Sequence, residues 1–265
     1  MSDVPVLMVV HAHPDDESSS TGGTLARYAA LGYRTVLVTC TDGRWGDGAD
    51  GAKPGEAGHD PHEVARRRAA ELEDAAAILG VRELIRLDYP DSGVDGGDAA
   101  GAFSSRPVAP IVEQLVGLMH RVRPDVVITY PPNGVSGHPD HIRTHDVVVA
   151  AHAQLIAAGD APTLYYIALS RSRAEAAFGS DGWAPPEDMF TDDATITTVI
   201  DVDAFWSTKL AGLAAHASQA DAAMLLQMFS AAGGSGRVEE YVRAYPPVSG
   251  VEYGVEHELL GADVR

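Results

Sequence analysis

Val6-Leu7-Met8-Val9-Val10-His11-Ala12-His13-Pro14-Asp15-Asp16-Glu17 passes from five apolar residues straight into two imidazoles and three carboxylates. A short continuous apolar run predicts a strand, Val6 to Val10, buried on both faces as in a parallel sheet. The polar residues then occupy the turn beyond its carboxyl end, the edge of an open α/β sheet where ligands bind. Pro14 cannot continue a ladder and stiffens that turn, so His13 and Asp16 can face one side of it while Asp15 faces another. A His nitrogen and an Asp oxygen at this spacing are two ligands of a divalent metal, and a third is needed from elsewhere.

The chain offers candidates far downstream. Gly137-His138-Pro139-Asp140-His141 follows a second apolar run, Val126-Val127-Ile128-Thr129-Tyr130, across a Gly- and Pro-containing turn. One His at a strand end is more often a hydrogen-bonded structural residue than a ligand. Two His-Pro-Asp sequences, each just beyond a β-like run, point together to a metal site.

The rest of the chain alternates in the same way. Ser20 to Leu31 reads as a helix closed by Gly32, and Arg34 to Thr39 as the next strand, giving an opening βαβ unit. A Gly- and Asp-rich loop, Thr41 to Pro61, leaves that strand's carboxyl end, where loops line sites. Pro61 to Leu79 is a helix, Glu83 to Leu87 a strand, Tyr89 to Gly101 a second such loop, and Pro107 to Val122 a helix. Asp125 to Tyr130 is a strand, about His141 to Ala158 a helix in which His145 and His152 are packing or surface residues, and Thr163 to Leu169 a strand. Residues 171–193 read as irregular, Ile196 to Val202 as a late strand, and Asp203 as the cap of a helix with Leu210, Leu213 and Ala214 towards the core. Residues 233–265 carry little signal. Regular β and α alternation without a linker or repeat predicts one α/β domain over 1–265, with a core at 1–170 and a portion at 171–265 that completes it.

With 38 Asp and Glu against 19 Lys and Arg, the net charge is −19. No basic face can be assembled from so few dispersed cations, which argues against nucleic acid and anionic membranes and leaves small ligands. The single cysteine, Cys40, excludes an internal disulfide and fits a reducing cytoplasm, and no signal peptide or membrane span is expected. A homo-oligomer remains open.

Ala12-His13-Pro14-Asp15-Asp16-Glu17 and His138-Pro139-Asp140-His141 resemble the two signature motifs of the PIG-L / LmbE-like family of zinc-dependent N-deacetylases. The likeness extends from residue 5 to about residue 220, towards the actinobacterial branch with the mycothiol-pathway deacetylase and the mycothiol S-conjugate amidase. It implies a Rossmann-like three-layer fold with a mostly parallel sheet, and removal of acetyl from an N-acetylglucosamine-containing small molecule by a metal-activated water. Matched residue by residue, His13, Asp16 and His141 become the ligands of zinc, or of ferrous iron, which accepts the same set. Asp15 becomes the general base. His138 becomes a protonated electrostatic partner of the oxyanion, oriented and charged by Asp140. On the substrate side the resemblance places Arg68, Asp91, Asn133 and Ser20. Lys209, His216 and Gln219 match a further Lys, His, Gln pattern whose role stays divided between a docked helix and support of the site.

Two positions depart from or divide the family. Ser136 stands where mycothiol-pathway members have a carbonyl-polarising Tyr, so His138 acts alone or a loop residue such as Trp45 or Tyr89 closes over the substrate. Ser20 stands where amidase-like members have Lys, which favours deacetylation, with the S-conjugate amidase as the alternative. Outside the family, His13-x-Asp15 with a distant His also spells a non-haem iron oxygenase, which would need a jelly roll, and a sugar-binding module without catalysis is the third reading.

Overall fold

The computed structural model describes residues 4–48, 51–94, 101–178, 186–231, 236–247 and 255–259. Seven strands form one sheet: β1 (Val6–His11), β2 (Arg34–Thr41), β3 (Glu83–Tyr89), β4 (Val126–Thr129), β5 (Thr163–Ala168), β6 (Thr198–Asp201) and β7 (Val238–Tyr245). Their order is β3-β2-β1-β4-β5-β7-β6, with β1 to β5 parallel and β7 antiparallel to both of its neighbours. Strand order reverses between β1 and β4, where Val9 pairs with Leu37 on one side and Ile128 on the other. The two motifs leave these adjacent strands at their carboxyl ends, in the crevice where such folds place ligands.

Alternate residues of β1 feed two cores, which is why its run is apolar throughout. Val6, Met8 and Val10 pack with Ile111, Leu115 and Met119 of α4 (Val108–Val122) and with Val147, Val148 and Ala151 of α5 (Pro139–Ala158). Leu7 and Val9 pack with Leu25 and Tyr28 of α2 (Gly22–Ala30) and with Leu72 and Ala76 of α3 (Pro61–Ile78). The result is a three-layer α/β sandwich. Leu37 is fully buried, so Leu37→Ala would cost about 2–5 kcal/mol. β3 is an edge strand and carries Glu83, Arg86 and Asp88 on its half-exposed faces, as edges do to discourage further pairing.

Local chemistry sets the helix starts. Asp60 accepts from the amides of His62 and Glu63 before Pro61 opens α3. His138 caps α5 and Pro139 opens it, so Asp140 and His141 lie in a helix's first turn rather than in a loop ahead of it.

The helix expected from Ser20 to Leu31 is two: α1 (Asp16–Ser20) and α2, parted at Thr21, whose hydroxyl bonds the Glu17 carbonyl and His11. Residues 171–193 are not irregular throughout, since α6 spans Arg171–Phe178. The helix after Asp203 is α7 (Trp206–Ala215), and α8 (Ala220–Ala231) follows it without having been foreseen. Nor was β7, an interior strand that ties the C-terminal portion into the same sheet. Of the two expected loops, residues 49–50 and 95–100 lie outside the described residues. No described helix is long and apolar enough to cross a membrane.

Candidate active site

His13 ends the β1 turn and His141 sits in the first turn of α5, yet His13 Nδ1 and His141 Nε2 are 3.2 Å apart. Asp16, first residue of α1, places Oδ2 at 3.4 Å from His13 Nδ1 and Oδ1 at 3.4 Å from His141 Nε2. These nitrogens face each other as lone pairs. His141 Nδ1 lies 3.0 Å from the Gly134 carbonyl and so carries the ring proton, leaving Nε2 bare. His13 Nε2 faces Asp140 Oδ2 at 3.3 Å and Asp91 Oδ1 at 3.5 Å, which places the proton there in neutral His13 and leaves Nδ1 bare. Two imidazole nitrogens and a carboxylate converging in this way fit a cation. The nitrogen pair, 3.2 Å apart, matches the edge of about 3.3 Å expected when tetrahedral ligands bind zinc at about 2.0 Å, and Asp16 reaches the two nitrogens through different oxygens.

The electrostatics agree. Burial works to lower the pKa of His13, but Asp91, Asp140 and Asp16 overcome it and hold the value well above that of free imidazole. Burial works to raise that of Asp16, and His141 and His13 hold it well below the carboxylate range. The cluster attracts positive charge, whether a proton or a metal.

Tyr130, just beyond β4, locks this set. Its hydroxyl donates to Asp16 Oδ2 at 2.6 Å and accepts from the Ala12 amide at 2.9 Å, and its ring stacks on His141 with centroids 4.3 Å apart. The His13 amide also donates to Asp16 Oδ2, at 2.7 Å. Gly134 has a positive φ of 67°, and a Cβ there would come within 2.7 Å of the His141 Cβ, so the turn needs glycine to pack against His141.

Asp15 is the left-over carboxylate. Its φ of 111° is unusual for a residue with a side chain, and its amide donates to Glu17 Oε2. Arg68, buried on α3, donates to Asp15 Oδ2 at 2.7 Å and to the carbonyls of Pro14 and Gly43. Gly43 has a positive φ of 64°, and a Cβ there would come within 2.6 Å of that guanidinium, so another residue would strain the turn and push on Arg68. Burial pushes the Asp15 carboxyl up to about 6, against the lowering pull of Arg68.

Two expectations need correction. Asp140 does not orient His138 with its carboxylate: Oδ2 faces His13 and accepts from the Ser92 amide, while Oδ1 accepts from the Ser92 hydroxyl. Only its backbone amide reaches His138, at Nδ1. Nor is His138 a standing imidazolium, because burial and the neighbouring His13 and His141 lower it to about 4. It also stands closer to the cluster than its place in the sequence suggested: one nitrogen each from His13, His138 and His141 lie within 4.8 Å of one another.

The remaining candidates are dispersed. Asp91 is buried behind His13, with carboxylate oxygens accepting from the amides of Gly93 and Trp45. Asn133 is exposed, its amide group on the Asp188 carbonyl and its oxygen on the Val135 amide. Ser20 ends α1, with its hydroxyl 3.5 Å from that of Ser19. Ser136 accepts from the His138 amide at 3.4 Å and lies 3.5 Å from His141 Nδ1. Tyr89 bonds Gln114 with its hydroxyl, whereas Trp45 lies against Gly93 on the Asp91 side.

Sequence reasoning missed Tyr130, Ser92 and Glu17 as supports of the site. Position was the available signal, since Tyr130 closes the run before the second motif, Ser92 follows Asp91 and Glu17 completes the first motif. His145 and His152 are packing residues as expected, bonded to the carbonyls of Tyr130 and Pro162. Cys40 is a buried thiol pushed up to about 12 by burial.

Fold and site together define a three-layer α/β protein whose His- and Asp-lined crevice lies at the reversal of a mostly parallel sheet. The chain belongs to the PIG-L family, GlcNAc-PI de-N-acetylase, which residues 8–152 match. It is thereby an amide hydrolase of the N-deacetylase type. A curated relative from Saccharomonospora viridis, 1D-myo-inositol 2-acetamido-2-deoxy-alpha-D-glucopyranoside deacetylase, is 38% identical over 229 residues, 80% of this chain and 84% of the relative. Among solved structures, N,N'-diacetylchitobiose deacetylase from Pyrococcus horikoshii matches with a TM-score of 0.63 at 20% identity, over 90% of this chain and 83% of the other. The 4-carboxy-2-hydroxymuconate hydratase GalB from Pseudomonas putida matches with a TM-score of 0.66 at 20% identity, over 93% and 99%. The jelly roll that an iron oxygenase reading requires is not the fold observed.

Proposed function

We propose that the chain releases acetate from an N-acetylglucosamine unit of a small molecule, N-acetylglucosaminyl-inositol being the substrate that the name of the 38% identical relative supports. His13, Asp16 and His141 would hold the divalent metal, zinc or ferrous iron. When bound, it supplies Lewis-acid polarisation of the amide carbonyl and acidifies water.

The chain's own groups do the rest. Asp15, with its pKa near 6, is ionised at neutral pH and accepts the proton of the attacking water. Arg68 keeps that carboxylate aimed and charged. As the C–O bond forms, charge gathers on the carbonyl oxygen, and His138 steadies it as a neutral N–H donor. Its Nδ1 accepts from the Asp140 amide, which leaves the ring proton on Nε2. The C–N bond then breaks, and the proton held by Asp15 passes to the departing nitrogen, giving acetate and a free amine.

The carrying observation is that His13 Nδ1 and His141 Nε2 lie 3.2 Å apart with an Asp16 oxygen at 3.4 Å from each, and that Asp15, next to Asp16 in the chain, is held by Arg68. Ser20 keeps the reading on deacetylation rather than on an S-conjugate amide. Substrate-side roles for Arg68, Asp91, Asn133 and Ser20, a cytoplasmic location and a single domain over 1–265 belong to the same proposal. Because a hydratase shares the fold, activity decides. Metal-loaded protein is given N-acetylglucosaminyl-inositol, diacetylchitobiose, an N-acetylated glycosylated natural product and a mycothiol S-conjugate. Acetate from the first above the others supports the proposal, and cleavage of the S-conjugate alone overturns it.

A further inference from the structure

His216 lies just beyond α7 and 199 residues from Glu17, yet its Nε2 stands 2.7 Å from Glu17 Oε1, both residues being fully buried. The other oxygen of Glu17 accepts from the Asp15 amide at 3.0 Å. A backbone at φ 111° turns that amide inward, where it needs an acceptor, and Glu17 supplies it. Two residues along, Ser218 donates through its amide and its hydroxyl to Glu71 of α3, at 2.9 and 2.8 Å. Glu71 is one turn from Arg68, whose guanidinium holds the Asp15 carboxylate. A single turn after α7 therefore grips both supports of Asp15, the one beneath its backbone and the one that aims its side chain.

We infer that His216 is a positioning residue for Asp15, acting through Glu17, and that Ser218 acts in the same sense through Glu71 and the helix of Arg68. The inference rests on Asp15 being the base. A general base works only within hydrogen-bond reach of its proton, and a displacement of about 1 Å can cost on the order of 100-fold in rate. An amide released from Glu17 lets the Asp15 turn relax towards an ordinary backbone and carries the carboxylate with it. Lys209 takes no part in this grip: its Nζ bonds Glu239 and the Ser19 carbonyl and fastens α7 to the end of α1.

A residue that only stabilises the fold would change the amount of active enzyme, whereas a positioning residue changes turnover per metal-loaded site. His216→Ala, His216→Gln, Ser218→Ala and Asp15→Asn are prepared in the full chain and loaded with zinc. Metal content, Tm, kcat and KM are then measured with N-acetylglucosaminyl-inositol. In His216→Ala, kcat per bound zinc is expected to fall about 30- to 100-fold with KM within about twofold. His216→Gln, whose amide can still donate to Glu17, is expected to recover to within about fivefold of the parent, and Ser218→Ala to lose about 3- to 10-fold in kcat. Unchanged kcat per zinc in His216→Ala, or equal losses in the Ala and Gln variants, overturns the inference. If His216→Ala does not fold, Ser218→Ala decides: a fall in kcat at constant KM supports it, and a lowered Tm at parental kcat overturns it. Asp15→Asn turning over like the parent removes the base assignment itself, whereas an inactive Asp15→Asn beside an unaffected His216→Ala removes the positioning alone.

Discussion

His13 Nε2 lies 3.3 Å from Asp140 Oδ2, a pairing across 127 residues that joins the two motifs on the side of His13 away from His141 and Asp16, the residues proposed to hold the metal with it. Ser92 fixes Asp140 from the other side, and Asp91 stands beside it at 3.5 Å from the same nitrogen. A carboxylate on the far nitrogen of a ligating imidazole fixes its tautomer and raises its basicity.

Asp140→Asn should therefore weaken metal binding by about 10- to 100-fold. Competition against a chelator of known affinity measures this directly. Parental metal affinity combined with impaired turnover would return Asp140 to the support of His138.

Asp15→Asn removes the proposed proton acceptor and leaves His13, Asp16 and His141 in place. It should keep one equivalent of metal while kcat falls about 100- to 10,000-fold. Metal analysis and acetate release on the same preparation check it, and a loaded variant with parental kcat would show that another group takes the proton.

The crevice was legible because its His and Asp residues come in local bursts at the ends of apolar runs, and such runs read clearly when a strand is buried on both faces. What escaped depended on partners distant in sequence. β7 reads Val-Glu-Glu-Tyr-Val-Arg-Ala-Tyr and looks too charged for an interior strand. Glu239 is neutralised by Lys209 and by the amides of Gly23 and Thr24, and Glu240 by Ser170 and Arg173. The pairing of Asp140 was misjudged for the same reason: His138 is its neighbour in sequence, but Ser92 and His13 are its neighbours in space.

Tyr130→Phe removes one hydroxyl that bonds both Asp16 and the Ala12 amide. A buried N–H left without a partner costs about 1–3 kcal/mol, so Tm should fall measurably in metal-free protein. Metal affinity should fall too, as Asp16 loses its 2.6 Å donor. An unchanged Tm would mean that Ala12 finds another acceptor.

Glu17 and His216 tie stability to pH. Burial works to lower the pKa of His216, but Glu17 raises it above 6.5; that contribution is fully present below pH 6.5 and is lost as pH rises through the folded value. Burial works to raise the pKa of Glu17, but His216 lowers it below 4.5; that contribution is present above pH 4.5 and is lost as pH falls through the folded value. The two overlap between 4.5 and 6.5, where both groups are charged in the fold and their pairing counts in full. Chemical denaturation of the parent and of His216→Gln, with chelator present so that metal loss does not intrude, should show the largest difference in that window. The gap should narrow on both sides of it, since a neutral glutamine donates to Glu17 at every pH but offers no charge. A difference that stays constant from pH 4 to 9 would mean that the pair acts as a neutral hydrogen bond.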